Sequence, residues 1–477
     1  MKLKAIKLIK KDLFSKCFFS NLPQNKKFFK EGPLKENDPE LYDLVRKETE
    51  RQYIGLELIA SENYASQSVL EVQSTLLGTK YSEGQPGARY YGGNKYIDMI
   101  ENLTKKRVLQ AFNLDDKIFG CNVQALSGTP ANFSIYTALM NPGDNLLGLH
   151  LYNGGHLSHG FKTDNKKISA TSKYFNSDFY YTDTKTNLID YEGMEKKAIE
   201  FKPKVIIAGG SCINSEIDYS KFRKVCDKVG AYLLADISHI SGLVASGLQN
   251  NPFNDADVIM TTTHKSLRGP RSAIIIYNRT RDPEIGEKID FAVFPGMHGG
   301  PHNHTIAAVC NQMKEVASNE FKLYSKQIVL NAKRLETNMV KMGHKVVGNT
   351  TNHLVVWDVK PWGLSGSKVE KGLDLVHITV NKNTIPGDKS AMNPGGVRMG
   401  TPALTSRGMK EKEMDVVAEF LTRFSQIASR ISKDTSKLNE YLIALEKDSD
   451  KLKLEQDVMK FSKQYEVPGL TDYNFSI

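Results

Sequence analysis

The chain has 477 residues, of which 40% are apolar and 25% are charged. This composition is ordinary for a globular protein and excludes collagen-like, coiled-coil and disordered classes. The length predicts two or three domains, at about 100–200 residues each. No run of about 18 uncharged apolar residues occurs, so no membrane span is predicted. The five cysteines lack metal-ligand or CxxC spacing, which favours a reducing compartment over a zinc site or a disulfide framework.

The positive charge of the chain is concentrated at its N-terminus. Residues 1–30 carry nine lysines and one acid, a net charge of +8, while the whole chain carries +10. The remainder therefore carries about +2, which argues against a basic body that binds nucleic acid. An acid-poor amphipathic start of this kind predicts an organelle transit peptide, mitochondrial first and plastid second. The alternative is a disordered basic tail on a cytoplasmic protein.

The folded part is predicted to begin with a helix at Pro39. Asp38 is a favourable N-cap, and proline suits the first helical position. An apolar stripe of helical spacing then continues towards Arg51. We expect residues 31–76 to form an N-terminal arm that contains helices.

Continuous apolar runs of strand length follow, at residues 205–208, 231–235 and 258–260. They are separated by helix-length segments such as 219–228. Runs that are apolar throughout are typical of strands buried on both faces, so these residues predict a mainly parallel sheet of βα units. The predicted fold class is therefore α/β, with a large domain at residues 77–315.

The pattern changes after about residue 316. Amphipathic helices are predicted over 321–342 and 411–429, with short strands at 353–359 and 376–380 between them. This mixture predicts a smaller α+β C-terminal domain at residues 316–477.

Three polar residues lie at the ends of the predicted strands or a few residues beyond them. Ser211, Asp236 and Lys265 come after the first, second and third run. Ligands collect at the carboxyl ends of strands in open α/β sheets. A lysine that can form a Schiff base, beside an aspartate that keeps a pyridine nitrogen protonated, is the minimal equipment of a pyridoxal-phosphate site. Each residue taken singly has a structural alternative. The lysine could be a solvated surface residue, the aspartate could cap a helix, and the serine could belong to a turn.

A phosphate site is predicted at residues 127–129. Thr129 is expected to cap a helix that has Pro130 in its first turn, and Gly128 would admit a close backbone approach. An ordinary capped helix is the alternative. His156 is a candidate for stacking on a cofactor ring or for a structural role in its loop. Gly299–Gly300 could form a tight turn or a second backbone facing the phosphate.

Seven motifs resemble those of the serine hydroxymethyltransferase family, and residues 301–304 (PHNH) resemble its eukaryotic branch. In chain order the seven motifs are 58–64 (LIASENY), 81–84 (YSEG), 89–93 (RYYGG), 154–157 (GGHL), 261–265 (TTTHK), 381–384 (NKNT) and 398–405 (RMGTPALT). The resemblance covers essentially residues 36–470. It implies fold type I of pyridoxal-phosphate enzymes, and a homodimer with shared active sites or a homotetramer of such dimers. The cysteine spacing, the lack of a long apolar run and the charge of about +2 after residue 30 predict no metal, no membrane and no nucleic acid as partners.

The resemblance also implies roles for individual residues. Lys265 would form the internal aldimine with pyridoxal 5'-phosphate, Asp236 would pair with the pyridine nitrogen, and His156 would stack on the ring. The phenolic oxygen of the cofactor would be bound by Ser211 and His239. The phosphate would be bound by Ser127, Gly128, Thr129 and His264, and by Tyr81, Gly299 and Gly300 of the other subunit.

Substrate contacts follow from the same resemblance. Arg398 and Ser61 would hold the amino-acid carboxylate, because a guanidinium matches a carboxylate bidentately. Glu83, with a role in proton transfer, and Tyr91 would act from the neighbouring chain. The expected folate contacts are Glu83, Tyr90, Leu151, Gly155, His156, Leu157, Asn383 and the loop Ser390, Ala391 and Met392.

The implied reaction is the reversible conversion of L-serine and tetrahydrofolate, the co-substrate, to glycine and 5,10-methylenetetrahydrofolate. Five positions depart from residues common in the family: Gln85, Ala125, Leu126, Ile213 and His298. None removes a group that the cofactor chemistry needs. Two alternatives stay open: a folate-independent aldolase acting on β-hydroxy amino acids, and a non-catalytic relative such as a scaffold.

Overall fold

The computed structural model describes residues 32–469, except residues 185, 389–392 and 436. The predicted transit peptide lies outside this range. Residues 32–51 belong to one compact unit and residues 52–469 to a second. No helix within the described ranges is long and apolar enough to cross a membrane.

The predicted mainly parallel sheet is confirmed, with seven strands in the second unit. Six strands run in the same direction, and only Ala273–Asn278 is reversed against both of its neighbours. The spatial order is Phe119–Asn122, Ala273–Asn278, Val258–Thr262, Tyr232–Asp236, Val205–Gly209, Asn145–Leu149 and Asn176–Tyr180.

Both faces of this sheet are buried, as the continuous apolar runs predicted. Leu233 and Leu234 are consecutive residues of one strand, and they belong to cores on opposite faces. Because side chains alternate along a strand, covering both faces requires helices on each side. The helices of this region are Gln67–Gln73, Lys95–Ala111, Gly128–Leu139, Ala170–Tyr174, Tyr191–Phe201, Tyr219–Val229, Ser241–Ala245, Ile285–Val293 and Asn303–Val316.

A second, four-stranded antiparallel sheet lies in the C-terminal part of the chain. Its order is Lys345–Val346, Leu354–Asp358, Gly396–Gly400 and Asn381–Asn383. The helices of this part are Asn319–Lys341, Gly366–Asp374, Pro402–Ser406, Glu411–Ser432, Leu438–Glu446 and Ser449–Ser462. The two amphipathic helices predicted here are confirmed. The strand predicted at 376–380 is shorter, because only Ile378–Thr379 forms a ladder, parallel to Leu56–Glu57.

The predicted helix start at Pro39, capped by Asp38, is confirmed, but the short helix Leu34–Asn37 precedes it, so the folded part begins earlier than predicted. The backbone N–H of Leu41 donates to Asp38 Oδ1 at 3.0 Å, and the helix extends over Pro39–Ile54. The remaining elements are short: the helix Leu34–Asn37, the 3₁₀ turns Leu76–Thr79, Leu151–Asn153, Leu157–His159 and Lys360–Trp362, and the hairpins Gly84–Gln85 with Ala88–Arg89 and Lys162–Thr163 with Lys166–Lys167.

Candidate active site

A cavity of about 610 Å³ opens at the carboxyl ends of the parallel strands. Asp236 is the last residue of its strand, Ser211 lies two residues beyond Gly209, and Lys265 lies three residues beyond Thr262. Parallel strands end at the same edge of a sheet, so the three side chains meet there although 54 positions separate Ser211 from Lys265.

Most of the residues predicted for the site line this one cavity. They are Ser61, Ser127, Gly128, Thr129, Leu151, His156, Leu157, Ser211, Asp236, His239, His264, Lys265 and Arg398. Within the described ranges, the predicted residues outside the lining are Tyr81, Glu83, Tyr90, Tyr91, Gly155, Asn383, Gly299 and Gly300. The loop residues Ser390, Ala391 and Met392 lie outside the described residues.

The carboxylate of Asp236 is buried and receives four hydrogen bonds. Oδ1 accepts from the Ser238 hydroxyl at 2.6 Å and from the Ser238 backbone at 3.1 Å. Oδ2 accepts from Asn132 Nδ2 and lies 3.0 Å from His159 Nε2. Burial alone would raise the pKa of Asp236, but the hydrogen bond with His159 and the positive charge of Lys265 hold that pKa well below its ordinary value. Asp236 is therefore a fixed negative charge at the cavity.

His156 is held beside this carboxylate by Ser158. Its Nδ1 lies 2.7 Å from the Ser158 hydroxyl and accepts from the Ser158 backbone at 3.2 Å. Asn132 Nδ2 reaches both the Ser158 hydroxyl and Asp236, so one amide links the two groups. Burial lowers the pKa of His156 to about 4. The ring is thus neutral at physiological pH and suited to lie against a flat aromatic ligand.

Lys265 is buried at the same edge, with 8% of its surface exposed. Burial lowers its pKa from the ordinary 10.5 to about 8, and the charges of Arg398 and Arg271 act in the same direction against the opposing effect of Asp236. A lysine with this pKa has a substantial neutral fraction near physiological pH. The neutral amine is the nucleophilic form.

The predicted phosphate site lies at the start of the helix Gly128–Leu139. The prediction that Thr129 caps this helix is wrong: Ser127 occupies the N-cap, and in the described part of the chain its side chain makes no capping hydrogen bond. Both residues are good caps by type, so local sequence could not choose between them. The Ser127 and Thr129 hydroxyls and the first backbone N–H groups are consequently available to an anion in the cavity.

Two further features of this wall fit a phosphorylated ring. A Cβ built on Gly128 would lie 2.8 Å from Thr262 Cγ2, so any larger residue there would require a shift of the cavity wall. Thr262 Oγ1 and His264 Nδ1 are buried without a hydrogen-bond partner among the described residues. Both residues line the cavity, and Arg271 adds positive charge. The residues therefore fit pyridoxal phosphate.

Arg398 lines the same cavity as Lys265 and belongs to the strand Gly396–Gly400. Its Nη1 donates to the Ser211 carbonyl at 2.6 Å and its Nε to Asn381 Oδ1 at 3.1 Å. Burial lowers the pKa of Arg398, yet a guanidinium stays charged. These two bonds fix the guanidinium and leave donors for a carboxylate in the cavity.

Six of the predicted residues outside the lining, all except Gly155 and Asn383, form a second cluster on the protein surface. The rings of Tyr81 and Tyr91 lie 5.5 Å apart, and a Cβ built on Gly299 would lie 3.1 Å from Glu83 Oε1. The backbone N–H of Tyr90 donates to the Glu83 carbonyl at 3.1 Å, and Tyr90 is 74% exposed. Tyr81, Glu83, Tyr90, Tyr91, Gly299 and Gly300 are thus neighbours of one another, although none lines the described cavity.

A family model described as serine hydroxymethyltransferase matches residues 34–421 of this sequence. The chain belongs to the serine hydroxymethyltransferase family. Serine hydroxymethyltransferase 4 of Arabidopsis thaliana is 50% identical over 446 residues, covering 91% of this chain and 95% of the relative. The cytosolic serine hydroxymethyltransferase of Oryctolagus cuniculus is 47% identical over 460 residues (92% and 95%), and the chloroplastic serine hydroxymethyltransferase 3 of Arabidopsis thaliana is 46% identical over 454 residues (93% and 85%).

Membership of the serine hydroxymethyltransferase family confirms the predicted fold class, fold type I, and the enzyme class, a transferase. Of the five positions that depart from common family residues, none lines the cavity among the described residues. Gln85, for example, accepts a hydrogen bond from Lys105 at 2.8 Å instead. The five departures therefore lie outside the residues that line the cavity.

Several residues of this site were not singled out from the sequence. His159, Asn132, Ser158 and Ser238 surround Asp236 and His156, and Arg271 lines the cavity. His159 is fully buried, three residues after His156. The repeated histidine in GGHLSHG was the only local signal for it. The other residues have common polar types in ordinary surroundings, and their roles depend on contacts distant in sequence.

Proposed function

We propose that this chain catalyses the reversible conversion of L-serine and tetrahydrofolate to glycine and 5,10-methylenetetrahydrofolate in one-carbon metabolism. The observation that carries the proposal is the shared placement of Lys265, Asp236 and the helix start at Ser127 around one cavity. Pyridoxal 5'-phosphate, when bound, supplies an aldehyde for the amine and a ring that accepts electrons from the amino acid. Tetrahydrofolate is the proposed co-substrate.

The proposed cofactor contacts are made by residues that line the cavity. Lys265 provides the neutral amine, and Asp236 holds a proton on the ring nitrogen because its carboxylate stays ionised. His156 supports the ring face. Further proposed contacts are Ser211 and His239 to the phenolic oxygen, and Ser127, Gly128, Thr129 and His264 to the phosphate.

The proposed substrate site lies between the two sheets. Arg398 and Ser61 bind the amino-acid carboxylate, and the fixed guanidinium orients the amino acid towards Lys265. Folate is proposed to enter past Leu151, Gly155, Leu157 and Asn383. The hydroxyl of Thr384, next to Asn383, donates to the Tyr152 carbonyl at 3.2 Å. This bond brings the segment of Asn383 close to the segment of Leu151, which supports their proposed common role.

We propose that the site is completed by a second copy of the chain, in a homodimer or in a homotetramer of such dimers. Tyr81, Glu83, Tyr90, Tyr91, Gly299 and Gly300 form their own surface cluster, and exposed tyrosines are typical of interfaces. In a two-fold dimer the cluster of each subunit can lie against the cavity of the other subunit. Glu83 would then move a proton during transfer of the one-carbon unit.

The first test of the proposed function is whether serine cleavage depends on folate. We expect purified protein with pyridoxal phosphate to form glycine from L-serine only when tetrahydrofolate is added. Glycine formation that is unchanged by tetrahydrofolate, together with turnover of allo-threonine, would instead identify the aldolase alternative. No turnover of either substrate would favour the non-catalytic alternative.

The pKa of Lys265 predicts how cofactor capture depends on pH. Only the neutral amine reacts, so the capture rate should rise about tenfold per pH unit below 8 and level off above it. Mixing cofactor-free protein with pyridoxal phosphate in a stopped-flow spectrometer from pH 6 to 10 measures this midpoint. Nα-acetyl-lysine, which keeps a free ε-amine, is treated in parallel and controls for titration of the cofactor itself. If the capture rate of the protein depended on pH in the same way as that of Nα-acetyl-lysine, the prediction would be contradicted.

We further propose that residues 1–30 direct import into mitochondria, with plastids as the alternative. The basic, acid-poor composition of this segment supports the proposal. Relatives include both cytosolic and chloroplastic forms. Fusion of residues 1–30 to a fluorescent protein tests it, and diffuse cytoplasmic fluorescence would reject it.

We also propose the domain division at residues 31–76, 77–315 and 316–477, which limited proteolysis can test.

A further inference from the structure

Asn63 lies in the motif 58–64, two residues after Ser61, and contacts the main chain of Lys265. Its Nδ2 donates to the Lys265 carbonyl at 2.9 Å across 202 positions of sequence. The same carbonyl accepts from the Arg268 backbone at 3.0 Å within the local turn. Lys265 is thus tied to its own turn by one bond and to a distant loop by the other.

The side chain of Asn63 uses its full hydrogen-bonding capacity. Nδ2 also donates to the Tyr324 hydroxyl at 2.8 Å, while Oδ1 accepts from the Ser406 hydroxyl at 2.6 Å and from the Tyr64 backbone at 2.9 Å. The carbonyl of Lys265 can only accept and the N–H of Tyr64 can only donate. The orientation of the amide is therefore determined chemically, and an amide has no further donor or strong acceptor position to use.

Three of these groups close a ring of hydrogen bonds. Asn63 donates to Tyr324, and the Tyr324 hydroxyl lies 3.0 Å from that of Ser406 and 3.2 Å from the Pro402 carbonyl. Ser406 donates back to Asn63. Bonds in such a ring polarise and strengthen one another. Ser406 ends the helix Pro402–Ser406, which follows the strand that carries Arg398. The ring therefore joins the part of the chain that bears the carboxylate-binding arginine to the main chain of Lys265.

We propose that Asn63 is a positioning residue for Lys265: it holds the lysine main chain so that the amine meets the cofactor aldehyde in one geometry. The inference rests on the proposed function, because it assigns a support to the proposed nucleophile. Aspartate at this position would lack both N–H donors, alanine would lack all four bonds, and glutamine would extend the amide by one methylene. A misplacement of about 1 Å at a reacting centre can cost about 100-fold in rate.

The test compares Asn63→Ala with a matched asparagine that does not touch Lys265. Asn331 is fully buried and donates to the Thr405 hydroxyl and the Met409 carbonyl, both at 2.9 Å. Cofactor-free wild type, Asn63→Ala and Asn331→Ala are mixed with pyridoxal phosphate, and borohydride quenches each reaction at timed intervals. Mass spectrometry of the digest gives the rate at which Lys265 is labelled, and thermal unfolding gives the stability of each variant.

We expect Asn63→Ala to slow labelling of Lys265 by about 10-fold or more, and Asn331→Ala to stay within about twofold of wild type. Tyr324→Phe keeps the bond to Lys265 but opens the ring, so its rate should lie in between. If Asn63→Ala does not fold, Asn63→Asp replaces it. Equal labelling rates in Asn63→Ala and wild type, or equal slowing in Asn331→Ala, would overturn the positioning role. A wild-type protein that is never labelled at Lys265 would overturn the proposed function itself.

Discussion

Replacing Lys265 by alanine is expected to abolish covalent capture of pyridoxal phosphate and to lower turnover by at least about 1000-fold. The amine of Lys265 is buried beside Asp236, and burial lowers its pKa to about 8, so a reactive neutral amine is present at physiological pH. Borohydride reduction of wild-type protein with the cofactor, followed by mass spectrometry, should find the label on the peptide that contains residue 265. The variant should carry no label.

Lys265→Arg provides the matched control for this experiment. Arginine keeps a positive charge near Asp236, but its guanidinium stays protonated and does not condense with an aldehyde. It should therefore fail like alanine while preserving the charge balance of the cavity. Circular dichroism would show that both variants are folded. A label on another lysine of the wild type, or turnover that survives in Lys265→Ala, would contradict the assignment of Lys265 as nucleophile.

Mixing two inactive variants is expected to restore about a quarter of wild-type activity. Lys265→Ala and Glu83→Gln each disable every site of their own homodimer. In a mixed dimer one site receives both changes, and the other combines an intact Lys265 with the intact Glu83 of the other subunit. Random association of equal amounts makes about a quarter of all sites intact, because each site draws each residue from one of two equally abundant chains.

The complementation experiment separates a shared site from a self-contained one. Coexpression of the two variants allows mixed dimers to form, and activity is measured per site after purification. Coexpression of Lys265→Ala with Lys265→Arg is the control and should restore nothing. If Glu83 served the cavity of its own chain, no chain in the first mixture would carry a complete site. Absence of any recovery in proven mixed dimers would then reject the shared site.

The regular elements of this fold were largely predictable from local patterns. Runs such as 205–208 and 258–260 are apolar at every position, and burial of both faces of the sheet explains why. The Asp38 cap and the two long C-terminal helices follow from similarly local rules. The start of the helix Gly128–Leu139 was misplaced because Ser127 and Thr129 are equally good caps. Close packing of Gly128 against Thr262 coincides with the observed start.

The sequence by itself determined the fold class and the placement of Ser211, Asp236 and Lys265 at one edge, because strand order and direction carry residues at strand ends to a common place. Only the tertiary structure decided what surrounds them. His159 and Asn132 reach Asp236 from 77 and 104 positions away, and Asn63 reaches Lys265 from 202. Likewise, only the tertiary structure shows that the surface cluster containing Glu83 and Tyr81 does not line the cavity of its own chain. A hydrogen bond requires two groups to meet within about 3 Å, and no local pattern encodes such a meeting between distant segments.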